Sequence, residues 1–225
     1  MVLSLEDKIA KSNELLENIL RSYPEDKIFV SWTGGKDSTT VLYLWKNLLE
    51  KKNINKVKAL SIDTGLKFPE IVAFREEISL LWNIELHIAK PDVNLLHYEI
   101  AKDKVKCCYD LKIVPLKQSI KTLGIEVLLT GLRRDEHRFR KQRDYKEQRE
   151  NPDYLQVNPI LDWTELDIWT FLYKENVPFC SLYEKGYRSL GCIPCTKMVT
   201  GGEERAGRDR EKEEKLAYLT SLGYF

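Results

Sequence analysis

Apolar residues recur along the chain in two alternating rhythms. At helical spacing, Leu5, Ile9, Leu15, Leu16, Ile19 and Leu20 predict an amphipathic helix over residues 4–21. Residues 27–31 form a short apolar run that ends in glycines, which predicts a buried strand. Val41, Leu42, Leu44, Trp45, Leu48 and Leu49 then return to helical spacing over 37–51. The alternation continues with a strand at 57–62, a helix at 69–82, a strand at 84–88, a helix at 105–123 and a strand at 127–130. Strands separated by helices imply a parallel sheet covered on both faces.

The rhythm breaks after Gly131. Residues 132–149 carry eight Lys/Arg against four Asp/Glu and few apolar positions, which predicts an exposed, mobile basic loop. A last strand is expected at 157–160. A helix is expected at 164–176, with Thr164 as N-cap and Asp167 as its capping-box partner. Residues 201–215 are dense in charge and are expected to order only around a ligand. The expected organisation is one domain: an N-terminal helix (1–24), a core (25–200) and a charged tail (201–225).

Composition narrows the class. At 225 residues the chain suits one α/β domain, and 43% hydrophobic with 32% charged residues describes a folded protein. The net charge of +1 gives no global reason to expect nucleic acid or a membrane as partner. No apolar stretch approaches the ~20 residues of a membrane span. Residues 1–6 lack a signal-peptide pattern, so the cytoplasm is the expected location. Five cysteines in such a chain argue for metal or redox chemistry before disulfides.

The segment Ser31-Trp32-Thr33-Gly34-Gly35-Lys36-Asp37-Ser38 joins a predicted strand to a predicted helix. Successive N–H groups in such a turn form a concave nest, and the helix N-terminus adds partial positive charge, so phosphate is the natural ligand. Gly34 and Gly35 let backbone approach it. Ser31, Thr33 and Ser38 offer hydroxyls, Lys36 a neutralising charge, and Asp37 a group to orient the loop or hold a metal ion. The spacing is not that of a Walker A loop.

This Ser-x-x-Gly-Gly-Lys-Asp-Ser segment resembles the PP-loop of the adenine nucleotide α-hydrolases. Ile62-Asp63-Thr64-Gly65 with Phe68-Pro69-Glu70, then Thr130 to Glu136, then Asn158 to Thr164, then Pro178 to Tyr187 resemble the phosphoadenosine-phosphosulfate (PAPS) reductase branch in order. That branch includes PAPS reductases, adenylyl-sulfate (APS) reductases and the small subunit of heterodimeric sulfate adenylyltransferase. The resemblance implies a doubly wound, mostly parallel α/β sheet of five or six strands, Rossmann-like, with helices on both faces. It implies that residues 31–38 cradle phosphates, with Lys36 and Asp37 at the chemistry. Asp63 and Thr64 would lie near adenine or ribose. Gly131, Arg133 and Arg134 would border the nucleotide, the paired guanidinium groups suiting phosphate and sulfate oxygens.

Cys107-Cys108 and Cys192-Ile193-Pro194-Cys195 form two pairs. Four thiolates suit a cubane iron–sulfur cluster or a structural zinc; unliganded core or redox thiols are the remaining reading. The adjacent pair with a Cys-x-x-Cys is similar to the [4Fe–4S] site of APS reductases, where the family also places a lysine, here Lys112, near cluster and substrate. Cys180 has no partner by spacing and reads as a small buried residue.

Two features depart from the reductases. Those enzymes attack sulfur with a cysteine near the C-terminus, and no cysteine follows Cys195 here. The Gly-Gly-Lys-Asp-Ser core is also intact, as in relatives that split ATP. The segment with Glu204, Arg205 and Arg208, and the Gly-Tyr-Phe ending, look more like the adenylyltransferase subunit. The leading expectation is therefore Mg²⁺-dependent ATP cleavage with adenylyl transfer to an oxyanion such as sulfate, Arg205 and Arg208 steadying the oxyanions. Sulfur transfer onto nucleic acid is a variant. The alternatives are an APS or PAPS reductase with its thiol supplied in trans, or a non-catalytic nucleotide-binding subunit. A homodimer or a partner subunit is compatible with each.

Overall fold

The computed structural model describes residues 3–224; Met1, Val2 and Phe225, the last residue of the Gly-Tyr-Phe ending, lie outside the described residues. Helix α1 (Leu5–Ser22) starts where Ser4 and Asp7 exchange capping-box bonds. Strand β1 (Ile28–Ser31), buried at all four residues, leads into α2 (Lys36–Lys51). Then follow β2 (Val57–Ile62), α3 (Pro69–Leu81) and β3 (Ile84–Ala89). The helix expected at 105–123 forms as α4 (Lys104–Cys108), a π-helical turn (Tyr109–Ile113) and α5 (Val114–Leu123). Pro115 has no N–H to give to the carbonyl four residues back, so regular α-helical bonding is interrupted just before it.

Beyond β4 (Val127–Leu129) come β5 (Lys146–Arg149), β6 (Tyr154–Val157), α6 (Glu165–Lys174), α7 (Arg210–Glu214) and α8 (Leu216–Ser221). The described residues form a six-stranded sheet in the order β3-β2-β1-β4-β6-β5. Every pairing is parallel except β5 with β6. From β1 the chain winds outward through β2 and β3 on one side, and through β4 and β6 on the other. The crevice outside the C-terminal ends of β1 and β4 is thus the switch point where open α/β sheets bind ligands. The core on one face gathers Trp32, Trp45 and Trp163, each almost fully buried. Their polar ends stay satisfied where the sequence supplies a hydroxyl: Trp32 Nε1 donates to Thr39 Oγ1 (3.0 Å) and Trp163 Nε1 to Ser12 Oγ (3.1 Å). No helix among the described residues is long and apolar enough to cross a membrane.

Two expectations need correction. The last parallel strand lies at Tyr154–Val157 rather than 157–160, because Asn158 already turns its amide nitrogen to the Asp144 carbonyl at 2.7 Å. The segment 132–149 is not an exposed loop. Leu132, Arg133 and Arg140 are buried, and residues 146–149 close the sheet edge as β5. Its charge is neutralised in place, with Arg140 on Glu136 and Arg143 on Glu147. Charge density alone misreads this segment because it ignores whether opposite charges meet. The tail is folded against the core, with Glu204, Arg205, Arg208 and Lys212 buried.

Candidate functional site

The glycine loop lies at the switch point. Gly34 has φ +81°, and a Cβ there would lie 2.9 Å from Ile71 Cγ2, so both conformation and space require glycine. Gly35 caps α2 without a side chain. The loop hydroxyls hold the turn: Ser38 Oγ donates to the Gly35 carbonyl (3.0 Å) and accepts from the Thr33 N–H (3.2 Å), while Thr33 Oγ1 accepts from the Gly35 N–H (3.3 Å). The Lys36 N–H at the helix start donates to the Tyr183 hydroxyl at 2.8 Å. Gly131, after β4, packs on this first turn, where a Cβ would lie 2.6 Å from the Ser38 nitrogen.

The charged groups of the loop are engaged within the protein. Lys36, 1% exposed, pairs with Glu204 and lies 3.4 Å from Asp37. Arg133 is fully buried; its Nε donates to Asp37 (2.6 Å) and its Nη2 to both Glu204 oxygens (2.6 and 2.8 Å). Burial alone would push the Asp37 carboxyl up, but Arg133 and Lys36 hold it down at about 2. Arg205 forks onto Glu213 (2.6 and 2.8 Å) and reaches Glu136 (2.7 Å). Burial opposes the Glu213 carboxylate, yet Arg205 brings its pKa down to about 2. Oxygens of Asp37, Glu136 and Glu204 lie within 4.8 Å of one another, a spacing that suits a cation, and all three are already paired with Lys36, Arg133, Arg140 or Arg205.

Arg134, expected beside Arg133, is turned away. It pairs with Asp162, donates to the Arg143 carbonyl (2.7 Å) and stacks over Tyr145. Asp63 shapes its own turn, accepting from the Gly65 N–H at 2.9 Å and meeting Arg75 at 3.4 Å.

The structure brings the two cysteine pairs together. Cys107 and Cys108 end α4, whose N-terminus is capped by Asp103. Cys192 and Cys195 flank a single 3₁₀ turn, fixed to the loop after β2 by a bridge between Lys67 and Cys192 and by the Ile193 N–H donating to the Leu66 carbonyl at 2.8 Å. All four are buried and unbridged. Burial and the three neighbouring sulfurs push the Cys107 thiol up. Cys192 goes the other way: against burial, Lys112, Lys67 and the Thr64 hydroxyl (3.3 Å) bring it to about 6. A single zinc with bonds of about 2.3 Å would hold its sulfurs about 3.8 Å apart. Among the described residues no three cysteine sulfurs lie within 4.8 Å of one another; four buried thiols are a donor set of the kind that holds an iron–sulfur cluster.

One cleft connects loop and cysteines. Its loop half is lined by Thr33, Lys36, Ser38, Gly131 and Arg205, and its other half by Thr64, Lys67, Lys112 and Gly191. Ser31, Thr33, Leu190, Arg208 and Tyr224 line both halves. The Arg208 guanidinium lies over Gly191, in the space a side chain there would take. The Arg208 Nε has no partner. Burial and the Lys112 charge lower Lys67 to about 8. Burial would raise Tyr224, but Lys112 and Lys212 lower it to about 7.

Of the residues singled out from sequence, the cleft thus gathers the loop hydroxyls, Lys36, Asp37, Thr64, Gly131, Lys112, Arg205 and Arg208. Arg133 lies beneath it on Asp37, and the cysteines lie beside it. Sequence reasoning missed Lys67, Tyr183, Gly191, Glu204, Lys212 and Tyr224. Glu204 carried a signal, being the acid next to Arg205; the others are single residues in loops and tail whose meaning comes from what folds against them.

Residues 27–198 match the family model for the phosphoadenosine phosphosulfate reductase domain. A protein of Oceanobacillus iheyensis named adenosine 5'-phosphosulfate reductase is 28% identical over 212 residues, covering 90% of this chain and 85% of its own. One of the same name from Pseudomonas aeruginosa is 32% identical over 202 residues, covering 81% and 72%. The fold is shared with the phosphoadenylyl-sulfate reductase of Candida auris (TM-score 0.69, 20% identity, 88% and 99% coverage). It is also shared with the FMN adenylyltransferase of Candida glabrata (TM-score 0.73, 20% identity, 97% and 83% coverage). With the loop, the cleft and the matched span in place, the chain belongs to the phosphoadenosine phosphosulfate reductase family.

Proposed function

We propose that the protein is a sulfonucleotide reductase that binds adenylyl sulfate in the cleft and releases sulfite and AMP. The observation that carries this reading is the cleft itself: it runs from the loop hydroxyls past Lys67, Lys112 and Arg208, none of them paired with an acid among the described residues, to Gly191, the residue before Cys192. Such a cationic end suits a phosphosulfate, whose two linked oxyanions need forked and point-charge donors. The relatives' reductase name supports the same reading over the adenylyl transfer that the intact loop suggests. So does the state of the loop. Lys36 is already neutralised by Glu204, and the acidic group that would hold Mg²⁺ is already matched by cations.

In this reading Ser31, Thr33 and Ser38, with the α2 N-terminus, receive the nucleotide phosphate. Arg208, Lys67 and Lys112 orient the sulfo group and stabilise charge as it moves onto the leaving AMP phosphate. A thiolate from a donor outside the paired cysteines attacks sulfur; the S–O bond to phosphate breaks and AMP leaves. A second thiol attacks the resulting S-sulfo thiol at its thiol sulfur, forming a disulfide and releasing sulfite. The two electrons thus come from the dithiol. Cys107, Cys108, Cys192 and Cys195 are the residues that would hold a [4Fe–4S] cluster, which when bound supplies charge and order beside the sulfo group.

The test is anaerobic and two-armed. Purified protein with adenylyl sulfate and a dithiol should yield sulfite and AMP in equal amounts. Pyrophosphate from Mg-ATP and sulfate, with no sulfite in the first arm, would replace the reductase reading with adenylyl transfer.

A further inference from the structure

Lys212 is an ammonium group with no exposed surface. It projects from α7, and its Nζ donates to the Tyr224 hydroxyl at 3.0 Å. Its charged surroundings are adverse: Lys112 and Arg208 repel it, and the groups that draw it are Tyr224 and the Cys108 sulfur. From the other side, its charge lowers Cys192 and opposes the burial that raises Cys195. Among the described residues no carboxylate lies within ion-pair distance of Lys212, Lys112, Lys67 or Arg208, although every other buried lysine and arginine near the loop has one. Burying an ammonium is costly unless an anion meets it. The Tyr224 phenol offers at most one negative charge, shared between Lys212 and Lys112. Beyond that phenol, the groups that draw Lys212 and can become anions are cysteine sulfurs, and four thiolates around a cubane core carry a net double negative charge.

The positions of the four cations divide the work. Lys67, Lys112 and Arg208 line the cleft and face both the nucleotide and the cysteines. Lys212 does not line the cleft; its helix α7 packs on α4, the helix that ends in Cys107 and Cys108, and the N–H of the α7 N-cap Asp209 donates to the Cys195 carbonyl at 3.2 Å. The resemblance to the reductases singles out Lys112 and says nothing of Lys212.

We propose that Lys212 is a positioning residue for the cysteine-bound group, its buried ammonium balancing the thiolates from a helix that does not line the cleft. This inference rests on the reading that the four cysteines hold an iron–sulfur cluster. Charge of this kind acts on the retention of a cluster and on its reduction potential, since both depend on how the surroundings meet the anionic form.

The experiment compares the protein with its Lys212→Met and Lys212→Arg variants, all purified without oxygen. Iron and sulfide per chain, the rate of iron release to a chelator, the cluster's reduction potential and the dissociation constant for adenylyl sulfate are measured on each. Lys212→Met should release iron at least about tenfold faster and take up an electron less readily. Lys212→Arg should recover most of both, and adenylyl sulfate affinity should change less than about threefold. Unchanged release and potential in Lys212→Met would overturn the inference. Equal loss in Lys212→Arg would also overturn it, because packing rather than charge would then be the cause. Wild-type protein that binds no iron or sulfide would instead sink the cluster reading itself, a result distinguishable by its appearing before any substitution.

Discussion

The two halves of the cleft handle charge in opposite ways. On the loop side Lys36, Arg133 and Arg205 each meet carboxylates, in a lattice built from Asp37, Glu136, Glu204 and Glu213. On the cysteine side Lys67, Lys112, Arg208 and Lys212 meet a phenol and thiols. The first half is complete by itself, so its charges serve stability and hold the loop rigid. The second half is incomplete, so its charges are stored for anions. Positive side chains that look alike in the sequence therefore do different work, and the difference lies in whether an acid was folded against them.

The comparison breaks most sharply at Glu204. Replacing it with Ala leaves Lys36 with only Asp37, 3.4 Å away, and the buried Arg133 Nη2 without an acid. Removing one partner of a buried pair costs about 3–5 kcal/mol. Glu204→Ala should therefore lower the urea midpoint strongly, read by circular dichroism. A change near zero would mean the lattice is not what holds the loop.

Arg208 is the converse case. Arg208→Ala removes a buried cation with no acid partner, so the melting temperature should stay level or rise. Loss of charge-assisted hydrogen bonds to the ligand should weaken adenylyl sulfate binding by about 1.5–3 kcal/mol, roughly ten- to a hundredfold. Calorimetry checks the affinity and thermal unfolding the stability. A variant that is destabilised yet binds normally would place Arg208 on the structural side.

Acid sharpens the same contrast. Glu213 and Asp37 have folded pKa values depressed to about 2, below the usual carboxylate range. A depressed carboxylate adds stability that is present above its unfolded pKa and lost as pH falls through the folded one. The stability of the loop side should thus hold at pH 5 and fall between about 4.5 and 2. Glu213→Gln should remove part of that slope in urea titrations at several pH values, and an unchanged slope would contradict the assignment.

The alternation of strands and helices was legible because burial imposes period: each strand and helix up to β4 follows from apolar spacing, as does the capped start of α6 at Thr164. The loop was legible because phosphate binding needs consecutive glycines and hydroxyls. Segments rich in charge were not. Whether Arg140 is solvated or buried depends on Glu136 four residues earlier, and whether Lys36 is free depends on Glu204, distant in sequence. Pairing of that kind leaves no periodic trace. Lys212 is illegible for the same reason: in the sequence it is one lysine in a charged run, and in the fold it is buried on a helix packed against the one that ends in Cys107 and Cys108.

Arg133 and Arg134 put that lesson at its smallest scale. Adjacent side chains of an extended segment point to opposite sides, so one arginine enters the lattice and its neighbour faces Asp162 and Tyr145. Both members of the Arg134–Asp162 pair are about a third exposed, which limits its worth to about 1 kcal/mol or less. Arg134→Ala should shift the melting temperature by no more than a few degrees and leave adenylyl sulfate affinity within about twofold. Arg133→Ala, assayed beside it, should destabilise the protein as Glu204→Ala does. A tenfold loss of affinity in Arg134→Ala would show that the arginine swings into the cleft when the ligand arrives, and that the paired-guanidinium reading drawn from the sequence holds for the bound state.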